Sequence, residues 1–200
     1  MPKIVDHEKQ RQLVAEAALR VIQKGGLDQA TVRNIAEEAG LSVGSMRHYF
    51  SSQAELFGFC MRLFLNRINK RVEAMNYDGP LLDVLKHFIL QFMPVDEERR
   101  LEMEVWFSYN IKVLLHPGLK PLSDEMYDGL FRAAQFVVDM LDRRGLTKSG
   151  LNLVMETEKL FALIDGLALH HILRPADVTA ASIEEIIAQH LKELCDPSKL

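Results

Sequence analysis

Two hundred residues suit one larger domain, or a small one fused to a medium one, and 48% hydrophobic residues supply a sizeable core, which excludes a disordered class. The formal net charge of −4 excludes recognition of a polyanion through a bulk basic field. Residues 1–53 nevertheless hold seven of the 24 Lys/Arg and six of the 28 Asp/Glu, a net of +1 against −5 for the remainder, so any nucleic-acid affinity must rest on a few placed contacts and on dimerisation.

The opening MPKIVDHEKQ is polar and has no signal-peptide pattern, and no apolar run approaches the roughly 18 residues of a membrane span, so a soluble cytoplasmic protein is expected. Cys60 and Cys195 show neither CxxC nor paired spacing, which favours reduced thiols over a disulfide or zinc site. A first helix is expected from an N-cap at Asp6, with Gln10, Val14, Ala17, Ala18, Val21 and Ile22 at helical spacing and Gly25-Gly26 at its end. In TVRNIAEEAGLSVGSMRHYF, Thr31 caps a second helix whose Val32, Ile35, Ala36 and Ala39 share a face, and Gly40 stops it. A third short helix starts at Ser42, with Met46 and Phe50 inward and Gly44, Ser45, Arg47 and His48 outward. Two short helices joined by such a turn form a helix-turn-helix, the second sized for the DNA major groove.

Ser52-Gln53-Ala54-Glu55 reads as a capping box for a long fourth helix, apolar at Leu56, Phe59, Cys60, Leu63, Phe64, Ile68, Val72 and Met75, which breaks at Asn76–Pro80. The fifth runs from Leu81 to Phe92 and stops at Pro94. The sixth spans Glu97 to Leu115, with Met103, Trp106, Phe107, Asn110, Val113 and Leu114 near one face, and His116-Pro117-Gly118 interrupts the chain. The seventh runs from a cap at Ser123 to Arg144, closed by Gly145, with Met126, Leu130, Phe131, Ala134, Val137, Val138 and Leu141 inward. The eighth starts near Ser149 and ends before Pro175, and the ninth runs from Thr179 to Leu194. The chain reads as all-α, about nine helices, with a DNA-binding domain at 1–51 and a helical regulatory and dimerisation domain at 52–200.

TVRNIAEEAGLS, GSMRHYF and FSSQAELF resemble the first helix and turn, the recognition helix and the entry into the fourth helix of the TetR family of transcriptional regulators. The resemblance covers about the first quarter of the chain. It implies a homodimeric repressor on a palindromic operator, cytoplasmic, without cofactor or metal, and released by a small effector. At the DNA, Thr31 is placed to give its hydroxyl or amide to a phosphate, and Arg33 occupies a position that in the family reaches a base or phosphate. Ser42, Gly44 and Ser45 begin the third helix, where backbone N–H groups meet anionic oxygens and small side chains permit close approach. Arg47 is placed to take guanine bidentately, Val43 to touch a thymine methyl, and His48 and Tyr49 to clamp phosphates. The family commonly has tyrosine where Arg47 stands and lysine where Gln53 stands, so the operator is expected to be unusual at one base step and one phosphate contact to be weaker.

The resemblance also implies a small-molecule pocket whose occupancy tilts the fourth helix. Phe88, Phe92, Met103, Trp106, Phe107, Met126, Phe131 and Phe161 are large and apolar, with Asn110 and Asp165 as polar anchors, and they fit an apolar or aromatic effector. The same stripe also describes plain core. LFALIDGLALHHIL is apolar on more than one face with Gly166 in its middle, where a close helix approach would explain the glycine. Leu160, Leu163, Ile164, Gly166, Leu167 and His171, with Ile183, Ile187, His190 and Leu191 of the ninth helix, are therefore expected at a four-helix dimer interface, as in the resembled family. Two recognition helices would then meet half-sites ~34 Å apart. His170 and His171 are adjacent and diverge on a helix, and no HExxH, GxSxG, phosphate loop or Cys/His cluster accompanies them. An all-α enzyme and a helical protein-interaction adaptor are the rival readings, and neither would retain a palindromic duplex.

Overall fold

The computed structural model describes residues 7–26, 29–115 and 117–200, with the backbone alone at 53, 54 and 115. Asp6 and His116 lie outside the described residues, so the expected first N-cap falls there too. Among those described, nine α-helices follow in chain order: α1 His7–Gly25, α2 Val32–Glu38, α3 Val43–Tyr49, α4 Gln53–Glu73, α5 Leu81–Leu90, α6 Glu97–Leu115, α7 Lys120–Arg143, α8 Leu153–Leu173 and α9 Ala180–Leu194. Short 3-10 turns follow α6 at Pro117–Leu119 and α9 at Pro197–Lys199, and one isolated antiparallel bridge joins Thr147 to Cys195.

The chain forms two compact units. One comprises residues up to Arg67 together with Ser108–Leu122, and the other comprises Ile68–Phe107 together with Ser123–Leu200. The division expected at 51/52 thus falls inside the first unit, because the front of α4 is core there. Leu56, Phe57, Cys60, Met61 and Phe64 are all buried, whereas Phe59 and Leu63 of the expected stripe are only half-buried. The buried face of α4 is rotated because a distant segment covers it: Leu122 lies 3.4 Å from where a Cβ on Gly58 would be, and the Lys112 ammonium sits 5.9 Å from the Phe57 ring centroid. In α1, Val14, Ala15, Ala17, Ala18, Leu19, Val21 and Ile22 are buried. Its small alanines let α2 pack closely through Ile35 and Ala36.

The second unit is built on a cluster from α5 (Leu85, Phe88, Ile89), α7 (Ala134, Val137, Val138, Leu141), α8 (Leu160, Ile164, Ala168) and α9 (Ile183, Ile187, Leu191), with Val72 and Met75 from the end of α4 packed against it. Two arginines satisfy the carbonyls left open at the end of α5: Arg99 donates to Leu90 O at 2.7 Å and Arg71 to Gln91 O at 3.2 Å. Arg71 also holds Glu102 of α6 through two bonds of 3.0 and 2.7 Å. The buried residues of α6 are Glu102, Val105 and Tyr109, while Leu114 is 82% exposed. The stripe expected along Met103, Trp106, Phe107 and Leu114 is therefore core-facing only in part: Met103 and Phe107 pack against the second unit's core, whereas Leu114 turns outward. The expected cap at Ser123 lies within α7, which starts at Lys120 after the 3-10 turn. Helix α8, expected to start near Ser149, starts at Leu153 with Asn152 as its cap, accepting from Met155 N, and Thr179, where the ninth helix is expected to begin, caps α9 by accepting from Ser182 N.

Glu102→Ala removes both hydrogen bonds that the Arg71 guanidinium, with 21% side-chain exposure, makes to α6, and leaves it, among carboxylates, only the charges of Glu98 and Asp96. A stability loss of about 2 kcal/mol is expected, the lower side of the cost of breaking a buried pair because some water reaches the arginine. Urea unfolding checks it, and a loss under about 0.5 kcal/mol, the range of an ordinary surface substitution, would show the pair to be dispensable.

Candidate nucleic-acid interface

Neither α2 nor α3 exceeds seven residues, so each depends on its ends. Thr31 caps α2, its Oγ1 accepting from Asn34 N at 3.2 Å. At the other end Gly40 takes φ +67, Leu41 N donates to Ala36 O at 2.8 Å and Gly40 N to Glu37 O at 3.1 Å, the paired bonds of a Schellman stop. Ser42 then caps α3, accepting from Ser45 N at 3.0 Å. Met46 and Phe50 are 2% and 5% exposed and fix the inner side of α3. Val43, Gly44, Arg47 and His48 are exposed on the outer side, and Ser45 and Tyr49 flank it half-buried. Ser42, Thr31 and Arg33 are exposed as well. The Gln53 side chain lies outside what is described.

The C-terminal end of α3 is held by side chains that the sequence pattern did not single out. Arg11 of α1 donates to Tyr49 O at 3.2 Å and to Glu55 Oε1 at 3.1 Å, and its guanidinium lies 4.6 and 4.9 Å from the Phe50 and Phe59 ring centroids. His7 Nε2 reaches His48 O at 3.2 Å, and its ring lies 5.2 Å from that of Tyr49. The expected capping box at Ser52 is half-formed: Glu55 N donates to Ser52 Oγ at 3.1 Å, but the Glu55 carboxylate turns to Ser51, accepting from its N and Oγ at 2.8 Å each. Those two Ser51 bonds, and then Arg11, hold the Glu55 carboxyl below its ordinary range. Arg11 falls in register with Val14, Ala15 and Ala18 on the buried face of α1, and that register is the sequence signal that would have marked it.

Charge is arranged sparingly. Lys24 and Arg20 each lie 2.8 Å from Glu38, and in that order they hold its carboxyl low. With Arg11 given to Glu55, the basic side chains of α2 and α3 that face solvent are Arg33 and Arg47, next to His48.

The residues expected to hold a ligand divide. Around Phe161 (6% exposed), the rings of Tyr127 and Phe131 lie at 4.7 and 5.7 Å between centroids, and around Phe88 (8%) those of Phe92 and Phe136 lie at 5.3 and 5.1 Å. Met103 and Phe107 pack against the second unit's core, Trp106 and Met126 are half-buried, and Asn110 belongs to the first unit. Tyr127 and Phe136 complete the two ring groups and were not expected from sequence. Asp165 Oδ1 is buried without a hydrogen-bond partner, and burial pushes its carboxyl up. Among the described residues no group of three His, Cys, Asp or Glu could hold a metal ion, and no helix is long and apolar enough to cross a membrane.

Of the residues expected at a dimer interface, Leu160, Ile164, Leu167, Ile183, Ile187 and Leu191 are 0–8% exposed within the single chain. They belong to the core of their own unit and offer no surface to a second copy. Leu163, Gly166, His171 and His190 are half-buried, and the large apolar side chains of α8 and α9 that do face outward are Leu169, Leu173 and Ile186, at 38, 67 and 39% exposure, with Val154 and Met155 at the start of α8. A Cβ on Gly166 would meet nothing within 4 Å, so no helix of the same chain approaches it closely. His171 Nδ1 is instead occupied by Val178 O.

Residues 14–58 match the family model described as Bacterial regulatory proteins, tetR family, and residues 82–196 that described as BetI-type transcriptional repressor, C-terminal. Over 98% of its length the chain is 41% identical to the HTH-type transcriptional regulator PksA of Bacillus subtilis (strain 168), across 94% of that protein. It is 26% identical over 88% of its length to the HTH-type transcriptional regulator BetI of Serratia proteamaculans (strain 568), across 87% of that protein. In fold it resembles a transcriptional regulator from Rhodococcus sp. Rha1, with TM-score 0.78 and 24% identity over 92% of this chain and 95% of that one. It also resembles a regulator from Saccharomonospora viridis crystallised in complex with choline, with TM-score 0.81 and 18% identity over 94% and 98% of the two chains.

Ser42→Ala removes the α3 cap and is expected to cost about 1 kcal/mol. Ser45→Ala keeps the cap and should stay within about 0.5 kcal/mol of wild type. Urea denaturation of both variants separates them, and equal losses would mean that Ser42 acts through something other than the Ser45 amide.

Proposed function

The chain belongs to the tetR family of bacterial regulatory proteins, and from that premise we propose that it is a homodimeric repressor that holds a palindromic operator and is released by a small, largely apolar effector. Its helix-turn-helix is the DNA-binding element of a transcriptional regulator. The observation that carries the reading is the outer side of α3, where Val43, Gly44, Arg47 and His48 are exposed in place of the Glu/Lys mix of an ordinary solvated helix. Arg47 reads a guanine, Val43 a thymine methyl, and Thr31, Arg33, Ser42, Ser45, His48, Tyr49 and Gln53 position the chain on phosphates. DNA contact is assigned to residues 1–51, and regulation and dimerisation to 52–200, with the front of α4 as scaffold for the first. The protein acts in the cytoplasm and catalyses nothing.

Two features support an effector. The ring groups around Phe161 and Phe88 offer an aromatic lining, with Asp165 as polar anchor, and a structural relative carries choline. Helix α4 runs through the boundary between the two units, and Val72 near its end packs on the second unit's core, which supports a role for this helix in relaying effector binding. Pairing of two copies through the outer faces of α8 and α9 is supported by exposed Leu169, Leu173 and Ile186 and by the open space over Gly166.

Sequencing of duplexes enriched by the protein from a random library should return an inverted repeat with half-sites about one helical turn apart. Arg47→Ala should relax preference at one base pair per half-site, a loss of about 1–3 kcal/mol of discrimination there, and an unchanged preference profile would count against its role. Gly166→Glu meets no atom of its own chain, so it should keep the wild-type circular dichroism while light scattering reports monomers. A dimeric variant would remove α8 from the interface.

A further inference from the structure

Arg11 stands where three helices meet. Its Nη1 donates both to the carbonyl of Tyr49, at the last residue of α3, and to Glu55 of α4, while its guanidinium carbon lies 4.6 and 4.9 Å from the centroids of the Phe50 and Phe59 rings, which meet edge to face. The second oxygen of Glu55 closes the turn after α3 through both the amide and the hydroxyl of Ser51. We propose that Arg11 and Glu55 form a clamp that sets the angle of the recognition helix, so that Arg11 is a positioning residue for operator binding without touching DNA. The proposal rests on the DNA-binding reading given above.

Geometry gives the clamp its leverage. Val43 lies six residues from Tyr49, about 9 Å along the helix, so a tilt of about 10° about the clamped end displaces it by about 1.5 Å, enough to lose van der Waals contact with a thymine methyl. Arg47, two residues from Tyr49, shifts by about 0.5 Å, the whole width of the hydrogen-bond distance range. A methionine in place of Arg11 has no donor for the Tyr49 carbonyl or the Glu55 carboxylate. Only 21% of the Arg11 side chain is exposed, and the Nη1 that reaches furthest is already engaged twice, so a phosphate is not its partner.

The test uses the full chain and duplexes enriched by wild type from a random library. Arg11→Met is expected to lower affinity about tenfold or more and to flatten base preference across the whole half-site, unlike the single position touched by Arg47→Ala. Because no phosphate contact is lost, the slope of log affinity against log salt should stay as in wild type. Unchanged affinity and preference would overturn the proposal, and so would a slope shallower by about one, which would make Arg11 a phosphate ligand. If Arg11→Met does not fold, Glu55→Gln decides, with a several-fold loss and flattened preference expected and wild-type binding overturning the clamp. A wild-type chain that enriches no duplex at all would overturn the DNA-binding reading and the clamp with it.

Discussion

A helix of seven residues does not hold itself together in water, and this protein presents its reading surface on such a helix. Everything around α3 answers that constraint. Ser42 satisfies an amide at one end, Met46 and Phe50 bury one side, and Arg11 and His7 meet the carbonyls at the other end. With both ends and one side fixed by other parts of the unit, the outer side is released from any structural duty. It can be composed of an arginine, a histidine, a valine and a glycine chosen for what they touch outside the molecule.

The second unit applies the same device on a larger scale. The carbonyls that close α5 are met by Arg71 and Arg99, and Arg71 carries its charge into a pair with Glu102, 7% exposed. A buried ion pair is a weak source of stability, because desolvation consumes most of the attraction. Its value is directional: the end of α4, the end of α5 and the front of α6 have one mutual arrangement in which both charges are satisfied. Within this unit the tail of α4 is therefore held by a specific contact as well as by the packing of Val72 and Met75.

How much of this could be read from residues alone follows from the range of each signal. The α2–α3 segment was legible almost to the residue because its determinants lie within five positions of one another: Thr31 with Asn34, Gly40 with Glu37, Leu41 with Ala36, and Ser42 with Ser45. The faces of α4 and α6 were not, since both helices are apolar on more than one side and the choice is made by Leu122, Lys112 and Arg71, tens of residues away. The same ambiguity hid which residues of α8 and α9 face inward. A wide apolar stripe says that much surface must be covered but not by which chain, and Leu160 and Ile187 turn out to be covered by their own. Ser123 was a plausible cap by type, yet a serine caps only where the backbone leaves the helix. Arg11 escaped notice for a related reason: an arginine on a buried face looks like a patterning error until its four partners are seen.

Binding to a polyanion by a chain of net charge −4 is then a matter of local bookkeeping. Three of the cations in the first unit are already committed to carboxylates of the same unit, Arg11 to Glu55 and Arg20 and Lys24 to Glu38. Those pairs order the helices but cancel the field that would otherwise draw the unit to any duplex. What remains on the outer side of α2 and α3 is the small set around Arg33, Arg47 and His48, while Lys9, Arg62 and Lys120 are exposed elsewhere on the unit. A single unit so equipped binds non-specific DNA weakly, since non-specific affinity grows with the number of phosphates neutralised. In the proposed homodimer the DNA-binding unit of the partner protomer engages at the high effective concentration set by its tether to the first protomer, and two modest half-site affinities multiply. Discrimination follows from the same economy: with little bulk attraction to any sequence, base contacts and the angle at which α3 is held make up a larger share of the total.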